Sequence, residues 1–113
     1  MKIAITSTGP NWDSLVDARF GRADYILIVT EGSEELEVID NRAVRDVAHG
    51  AGPQTAQLLH DHAPGALITG NGPGANAADI LKRMNVQVYI GAAGMSIRDA
   101  LKAYQDNKLK KGD

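Results

Sequence analysis

The fold is decided by residues 66–84, which read ALITGNGPGANAADILKRM. An apolar strand over residues 66–69 runs through the turn Gly70-Asn71-Gly72-Pro73-Gly74-Ala75-Asn76 into a helix. The helix has apolar side chains at the i, i+3, i+4 and i+7 positions of an amphipathic stripe, namely Ala77, Ile80, Leu81 and Met84. Glycine lets the chain turn sharply and lets a ligand approach main-chain N–H groups closely. The segment therefore predicts a strand–turn–helix unit of an α/β fold.

Two further glycine-rich junctions precede predicted helices. They are His49-Gly50-Ala51-Gly52-Pro53 and Gly91-Ala92-Ala93-Gly94-Met95-Ser96. The first turn of a helix has unpaired N–H donors and a partial positive charge, so each start offers a place for an anion. The alternative for any single junction is that glycine only allows the turn. Three junctions in one small domain favour an anion site.

The predicted elements follow one another in the order βββαβαβα. The strands are expected at residues 2–7, 25–30, 36–40, 66–69 and 86–90. A short turn between the second and third strands predicts a hairpin, and the later strands alternate with helices as in right-handed βαβ crossovers. We therefore predict a five-stranded mixed sheet with helices on both faces, in which only the second strand is antiparallel. All three helix starts would then lie at the carboxyl end of the sheet, where open α/β sheets bind ligands.

The remaining segments are predicted as loops and a tail. Residues 8–22 form a polar loop that holds one helical turn around residues 12–16, and residues 41–52 form a long loop before a helix that begins at Pro53. Ser96, followed by Asp99, resembles a capping box at the start of the last helix. Residues 1–109 are expected to form a single domain, and residues 110–113 a frayed charged tail.

Composition excludes several classes of protein. The chain has 113 residues, a net charge of −2 and no cysteine, so disulfides, zinc–thiolate sites and cysteine-ligated iron–sulfur clusters are ruled out. The small negative charge argues against a general nucleic-acid binder. No apolar run approaches the ~20 residues of a membrane span and no signal peptide is recognisable, which predicts a cytoplasmic location and no membrane partner.

Two arginines precede the second strand and are candidate anion ligands. Arg19 and Arg22 flank Phe20-Gly21, and guanidinium groups suit bidentate contacts with anions. The alternative, which the sequence leaves equally open, is that they pair with nearby acids such as Asp17 and Asp24.

His49 and Met95 are the side chains beside the junctions that could contact a metal. A histidine at a helix mouth can ligate a metal or donate a proton to an anion, but an exposed loop histidine is the alternative. A thioether suits a soft metal, whereas the alternative for Met95 is a hydrophobic staple against Ala100.

Catalysis has little support in the sequence. The acids fall in a loop and an exposed hairpin without forming a clear pair, and Ser7 and Thr8 have no histidine nearby in sequence to activate a nucleophile. A P-loop is not supported because no Gly-Lys-Ser/Thr follows Gly74. The protein is therefore predicted not to be an enzyme.

An ordered set of motifs spans nearly the whole chain. It comprises Phe20-Gly21-Arg22-Ala23 before an apolar strand, Gly50-Ala51-Gly52-x-x-Thr55-Ala56-Gln57-Leu58-Leu59, the Gly70–Asn76 turn, and Val88-Tyr89 before a glycine-rich cap. This set resembles the dinitrogenase iron–molybdenum cofactor biosynthesis family. The family pattern runs Gly-x-Gly-Pro-Asn-Ala, whereas here Gly74-Ala75 intervenes between Pro73 and Asn76.

The resemblance implies a ribonuclease H-like fold and a role in carrying or inserting metal–sulfur cofactors. Ribonuclease activity is not implied, because that chemistry needs clustered carboxylates and the first strand, residues 2–7, has none. One small cysteine-free member of the family holds a molybdenum–copper sulfide cluster non-covalently. Such a polyanion needs hydrogen-bond donors and positive potential rather than thiolate ligands.

The resulting hypothesis is a non-enzymatic carrier or scaffold for a molybdenum-containing metal–sulfur cluster, either a molybdenum–copper sulfide or an iron–molybdenum-type cluster. The residues expected to contact it are Arg19, Arg22, His49, Gly50, Ala51, Gly52, Gly70, Asn71, Gly72, Asn76, Gly94 and Met95. One alternative is a regulatory module without its own metal that acts on a partner ATPase or cofactor-assembly protein. Another is a small hydrolase acting on phosphate esters.

Overall fold

The computed structural model describes residues 1–112, which form a mixed sheet with helices on both faces. The strands are β1 (Lys2–Ser7), β2 (Tyr25–Thr30), β3 (Leu36–Asp40), β4 (Ala66–Ile68), β5 (Gln87–Ile90) and β6 (Lys110–Lys111). The helices are α1 (Arg42–Arg45), α2 (Ala51–His60), α3 (Ala75–Arg83) and α4 (Ile97–Gln105). Across the sheet the strand order is β3-β2-β1-β4-β5-β6.

The directions of the strands agree with the prediction. β1 and β4 are parallel, with Ala4 opposite Leu67, and β4 and β5 are parallel as well. β2 is antiparallel to both of its neighbours, β1 and β3. The carboxyl ends of β1, β4 and β5 therefore lie at one edge of the sheet.

Alternate side chains of the central strands build two cores, one on each face. On β1, Ala4 belongs to a cluster with α2 and α3, whereas Ile3 and Ile5 belong to a cluster with α4. All three side chains are completely buried. Burial on both faces explains why the strands are continuously apolar rather than alternating. α2 and α3 thus share one layer, and α4 lies on the opposite face.

The sheet has a sixth strand that the sequence analysis missed. Lys110 and Lys111 pair with β5 in antiparallel register, and the N–H of Gly112 donates to Val88 O at 2.8 Å. The prediction of a frayed tail is therefore wrong for residues 110–112, while Asp113 lies outside the described residues. The lysine side chains remain exposed on this edge, so no apolar periodicity marks the strand in the sequence.

Two loop predictions also need correction. The long loop over residues 41–52 contains the single-turn helix α1, and α2 begins at Ala51, two residues before Pro53. The helical turn expected around residues 12–16 is limited to a single hydrogen-bonded turn in which Ser14 N–H donates to Asn11 O at 3.1 Å, and Leu15 and Val16 instead make isolated β-bridges to Ser96 and Ser7. Within residues 1–112, no helix has the length and apolar character required to cross a membrane.

Candidate functional site

An open cavity of about 530 Å³ lies at the carboxyl end of β1 and β4. Three segments line it: residues 18–22 after β1, residues 50–53 at the start of α2, and residues 71–77, which lead from β4 into α3. Its size is typical of small-ligand sites. Two of the three predicted glycine-rich junctions therefore line one cavity at this end of the sheet.

Glycine is required where the walls of the cavity touch one another. A Cβ at Gly21 would lie 2.5 Å from the backbone nitrogen of Gly52, and a Cβ at Gly70 would lie 2.5 Å from Ala18 Cα. Real Cβ atoms do not approach other atoms so closely. Gly70 is buried beneath the cavity and does not line it. These two glycines serve the packing of the walls.

Gly72 and Gly74 are different, because neither packing nor backbone conformation requires them. A Cβ at either position would meet no atom within 4 Å. Gly74 has φ −60° and ψ 165°, which any residue can adopt. Both residues line the cavity. Because they have no side chains, the space beside the start of α3 stays open.

Two helix starts present N–H donors to this space. The N-cap residues are Gly50 for α2 and Gly74 for α3, and neither helix has a side-chain cap or an acidic residue in its first turn. Gly50 has φ +79°, a left-handed conformation that favours glycine. First-turn N–H groups without a cap retain their hydrogen-bonding capacity and their share of the helix dipole. The two helix starts therefore contribute positive potential to the cavity.

Arg19 lines the cavity but is held by an acid. Its Nε lies 3.2 Å from Asp17 Oδ1, and the backbone N–H of Arg19 donates to the same oxygen at 2.9 Å. The side-chain hydrogen bond to Asp17 and the charge of Asp17 raise the pKa of Arg19 above its ordinary value. The Asp17 side chain is almost fully buried, whereas that of Arg19 is 60% exposed. The buried carboxylate therefore fixes the direction of the Arg19 guanidinium group and partly neutralises its charge.

Arg22 also lines the cavity, and among residues 1–112 no carboxylate forms an ion pair with it. Its Nη1 donates to the carbonyl oxygens of Arg45 and Val47, the latter at 2.7 Å. Asp24, which the sequence analysis considered as a partner, pairs with Arg45 instead. Arg22 is consequently the cation whose charge remains available to an anion in the cavity.

The third junction lies outside the cavity lining. Gly94 donates its N–H to Val16 O, and Val16 donates to Met95 O at 2.8 Å. Met95 is half-buried and packs against the core on the α4 face, in the same cluster as Ala100. The link to the cavity is indirect, through the segment that continues from Val16 to Arg19.

The histidines are not brought together into a site. His49 is exposed next to Gly50 and is not among the residues that line the cavity. His60 lies near Asp61, and His62 Nδ1 lies 3.0 Å from Glu37 Oε2. Within the described part of the chain, no group of three or more His, Cys, Asp or Glu residues could hold a metal ion.

The predicted contact set therefore divides by position. Eight of its members line the cavity: Arg19, Arg22, Gly50, Ala51, Gly52, Asn71, Gly72 and Asn76. Gly70, His49, Gly94 and Met95 do not. Two fully buried polar residues behind the wall of the cavity, Asn41 and Thr55, are not among the predicted contact residues, and Thr55 appears in the sequence only as a motif position. No local sequence pattern distinguishes Asn41 from an ordinary residue at the end of a strand.

Comparison with known proteins places the chain in a family. The sequence profile described as "Dinitrogenase iron-molybdenum cofactor" matches residues 1–107. The apo form of the orange protein from Desulfovibrio gigas is 34% identical, with a TM-score of 0.92 over 98% of this chain and 92% of that one. A putative NifB protein from Thermotoga is also 34% identical, with a TM-score of 0.83 over 97% of this chain and 91% of that one. No curated protein sequence matches the chain.

Proposed function

The chain belongs to the dinitrogenase iron-molybdenum cofactor family, and we propose that it is a carrier for a molybdenum-containing metal–sulfur cluster held non-covalently in the cavity. The observation that carries this proposal is the composition of the cavity wall. Two uncapped helix starts and two arginines face the space, and none of its described lining residues is acidic. Such a wall attracts a polyanion.

The absence of metal ligands from the wall supports a preassembled cluster over a bare metal ion. Among the described lining residues there is no histidine, methionine, cysteine, aspartate or glutamate. A metal held here would need to arrive with its own ligands. A sulfide cluster meets that condition, because its sulfur atoms are already bound to the metals and accept hydrogen bonds from N–H groups.

We propose a molybdenum–copper sulfide as the cargo. The support is the resemblance to a family with a small cysteine-free member that holds such a cluster, together with the similarity to the orange protein over almost the whole of both chains and a cysteine-free sequence. An iron–molybdenum-type cluster is the variant that the family description would favour.

A carrier role fits the wall better than an enzymatic one. No serine, threonine, lysine or tyrosine joins the arginines and asparagines that line the cavity within residues 1–112. General acid–base and nucleophilic catalysis both need a titratable or nucleophilic group within reach of the substrate. The expected partners are therefore the proteins that deliver or receive the cluster, rather than a substrate that is converted.

Reconstitution tests the proposal directly. The purified protein is incubated with tetrathiomolybdate and Cu(I), desalted, and examined by visible absorption and metal analysis. We expect a coloured complex with a fixed ratio of molybdenum and copper to protein. A chain that stays colourless and metal-free after desalting contradicts the proposal, whereas binding of molybdenum with iron but not copper would correct the identity of the cluster.

Charge-matched variants locate the site in the same experiment. Arg22→Gln removes the unpaired cation of the cavity wall, and we expect it to weaken binding by about tenfold, as loss of a charge-assisted contact does. Arg83→Gln makes the same change in charge at an exposed side chain of α3, which lies 3.8 Å from Asp79. Equal weakening by both variants would indicate a non-specific effect of net charge.

A further inference from the structure

A buried asparagine side chain, that of Asn41, lies behind the wall of the cavity. Asn41 follows β3, and its side chain is completely buried. It occupies the N-cap position of α1 but makes no capping hydrogen bond to that helix. Asparagine is favoured at N-caps because its side chain can bond the first-turn N–H groups. The side chain of Asn41 is therefore committed elsewhere.

Its hydrogen bonds join two walls of the cavity. Asn41 Nδ2 donates to Gly21 O and to Ala23 O, both at 3.0 Å. Asn41 Oδ1 accepts from Thr55 Oγ1 at 3.2 Å. Gly21 belongs to the wall formed by residues 18–22, and the fully buried Thr55 lies on α2, one turn beyond Gly52. A single amide thus uses both donors and one acceptor between the two walls.

The same point is where the two walls touch. The backbone of Gly21 approaches Gly52 so closely that a Cβ on Gly21 would lie 2.5 Å from the Gly52 nitrogen. The carbonyl oxygen of Gly21 accepts the hydrogen bond from Asn41 Nδ2, and Thr55 Oγ1 lies 3.4 Å from the same oxygen. The buried side chains of Asn41 and Thr55 therefore hold this contact through hydrogen bonds. Water does not reach them, so it could not replace these hydrogen bonds if they were lost.

The backbone of Asn41 extends this link to Arg22. Arg45 donates its N–H to Asn41 O at 2.9 Å, and the carbonyl of Arg45 accepts from Arg22 Nη1. The position of Asn41 therefore affects the segment that holds the unpaired guanidinium group. Both the backbone donors of α2 and the cation of the wall depend on the same residue.

We infer that Asn41 is the positioning residue of this site: its amide sets the distance between the wall of residues 18–22 and the start of α2, and so determines which anion fits. The inference rests on the proposed function for what the cavity holds. A buried polar network that is fully satisfied fixes one geometry, whereas a partly satisfied one costs stability and loosens it. An apolar side chain at position 41 would fill the volume without specifying the distance.

Isosteric substitutions separate positioning from volume. Asn41→Asp keeps the shape but replaces the donating Nδ2 by a carboxylate oxygen that faces the carbonyls of Gly21 and Ala23. Thr55→Val removes the donor to Asn41 Oδ1. Thr55→Ser keeps that donor and serves as the conservative rescue. Ile97→Val shortens a buried side chain on the opposite face and is the control for general destabilisation.

Two measurements are made on every variant that folds. The first is titration with tetrathiomolybdate and Cu(I), followed by visible absorption at a temperature where each variant is folded. The second is the pair of backbone amide shifts of Gly21 and Gly52 in the ligand-free protein. We expect Asn41→Asp and Thr55→Val to weaken binding by about tenfold or more and to shift the absorption bands. Thr55→Ser and Ile97→Val should retain both affinity and spectrum.

The outcomes distinguish this inference from the proposed function. If the parent protein binds the cluster and Thr55→Val binds it with equal affinity and spectrum, the inference is wrong and the proposed function stands. If the parent protein does not bind, the proposed function fails, and the amide shifts alone decide whether Asn41 sets the wall geometry. If the backbone amide shifts of Gly21 and Gly52 are unchanged in Thr55→Val, the inference about Asn41 is wrong. Should Asn41→Asp fail to fold, the Thr55→Val and Thr55→Ser pair carries the test.

Discussion

The starts of α3 and α4 both follow a strand and a glycine-rich junction, but their N–H groups have different partners. At the start of α4, Ser96 Oγ accepts from Asp99 N at 3.1 Å, and Asp99 places a negative charge in the first turn. At the start of α3, Gly74 provides no side-chain cap and the first turn contains no acid. The first turn of α4 is therefore capped by its own serine, whereas the first-turn N–H groups of α3 have no side-chain cap and lie beside the cavity.

The layers of the fold explain why the two starts differ in use. α3 shares a face of the sheet with α2, so their starts converge on one space, whereas α4 packs alone on the opposite face. The loop before α4 is further occupied by Val16, which exchanges backbone hydrogen bonds with Gly94 and Met95. In this fold a glycine-rich junction therefore leaves helix N–H donors facing the cavity only where the N-cap has no capping side chain and a second helix start lies beside it.

The largest expected effect separates glycines that pack from glycines that leave space. Gly70→Ala would place a Cβ 2.5 Å from Ala18 Cα and 2.8 Å from Ala93 Cβ, and overpacking of this kind lowers the free energy of unfolding by about 2–3 kcal/mol. Gly72→Ala meets no atom within 4 Å, so we expect a change within about 0.5 kcal/mol. Urea unfolding of both variants measures the difference. Equal destabilisation would mean that the turn is strained at Gly72 as well.

The second prediction converts the start of α3 into one like that of α4. Gly74→Asp supplies a capping side chain and an acid at a position whose backbone already suits any residue, so the free energy of unfolding should rise by a few tenths of a kcal/mol. Binding of the molybdenum–copper cluster should fall by at least about tenfold, because the donors are then occupied and an anion is repelled. Stability and affinity would thus move in opposite directions.

Ser96→Ala is the matched control for that change. It removes the existing cap of α4 and should lower the free energy of unfolding by about 1 kcal/mol, while cluster affinity stays at the parental value because this start does not line the cavity. Loss of affinity in Ser96→Ala would show that the third junction belongs to the site after all. Retained affinity in Gly74→Asp would show that α3 does not contact the cluster.

The cap at Ser96 could be predicted from the sequence because a cap is local, but the uncapped start of α2 was expected at Pro53, whereas the helix begins at Ala51 with Gly50 as its N-cap. The order of the elements, with its hairpin and βαβ connections, likewise predicted the strand directions and the helices on both faces. What the sequence did not reveal is non-local. The Asn41 amide acts on Gly21 and Thr55, which lie 20 and 14 positions away along the chain, and β6 consists of two exposed lysines whose pairing depends on β5.

The smallest effect concerns a third kind of helix start, that of α1, which is covered by a carboxylate. Asp40 Oδ1 accepts from Arg42 N at 3.0 Å, and Asp40 also pairs with the Arg42 guanidinium group. Hydrogen bonds from Arg42 lower the pKa of Asp40 from 3.8 to about 2. The folded state therefore keeps Asp40 ionised when the unfolded state has already bound a proton, so this contribution to stability is complete above about pH 4 and is lost as the pH falls towards 2.

Carbon-detected NMR titration of the Asp40 carboxyl group checks this directly, and Asp40→Asn should remove the corresponding slope from the unfolding free energy between pH 4 and pH 2. The slope should be shallow, because both side chains are more than half exposed and solvent screens the pair. A titration midpoint near the ordinary value of 3.8 would mean that Asp40 does not cover the start of α1 in solution. In that case the starts of α1, α3 and α4 would differ only in the serine that caps α4.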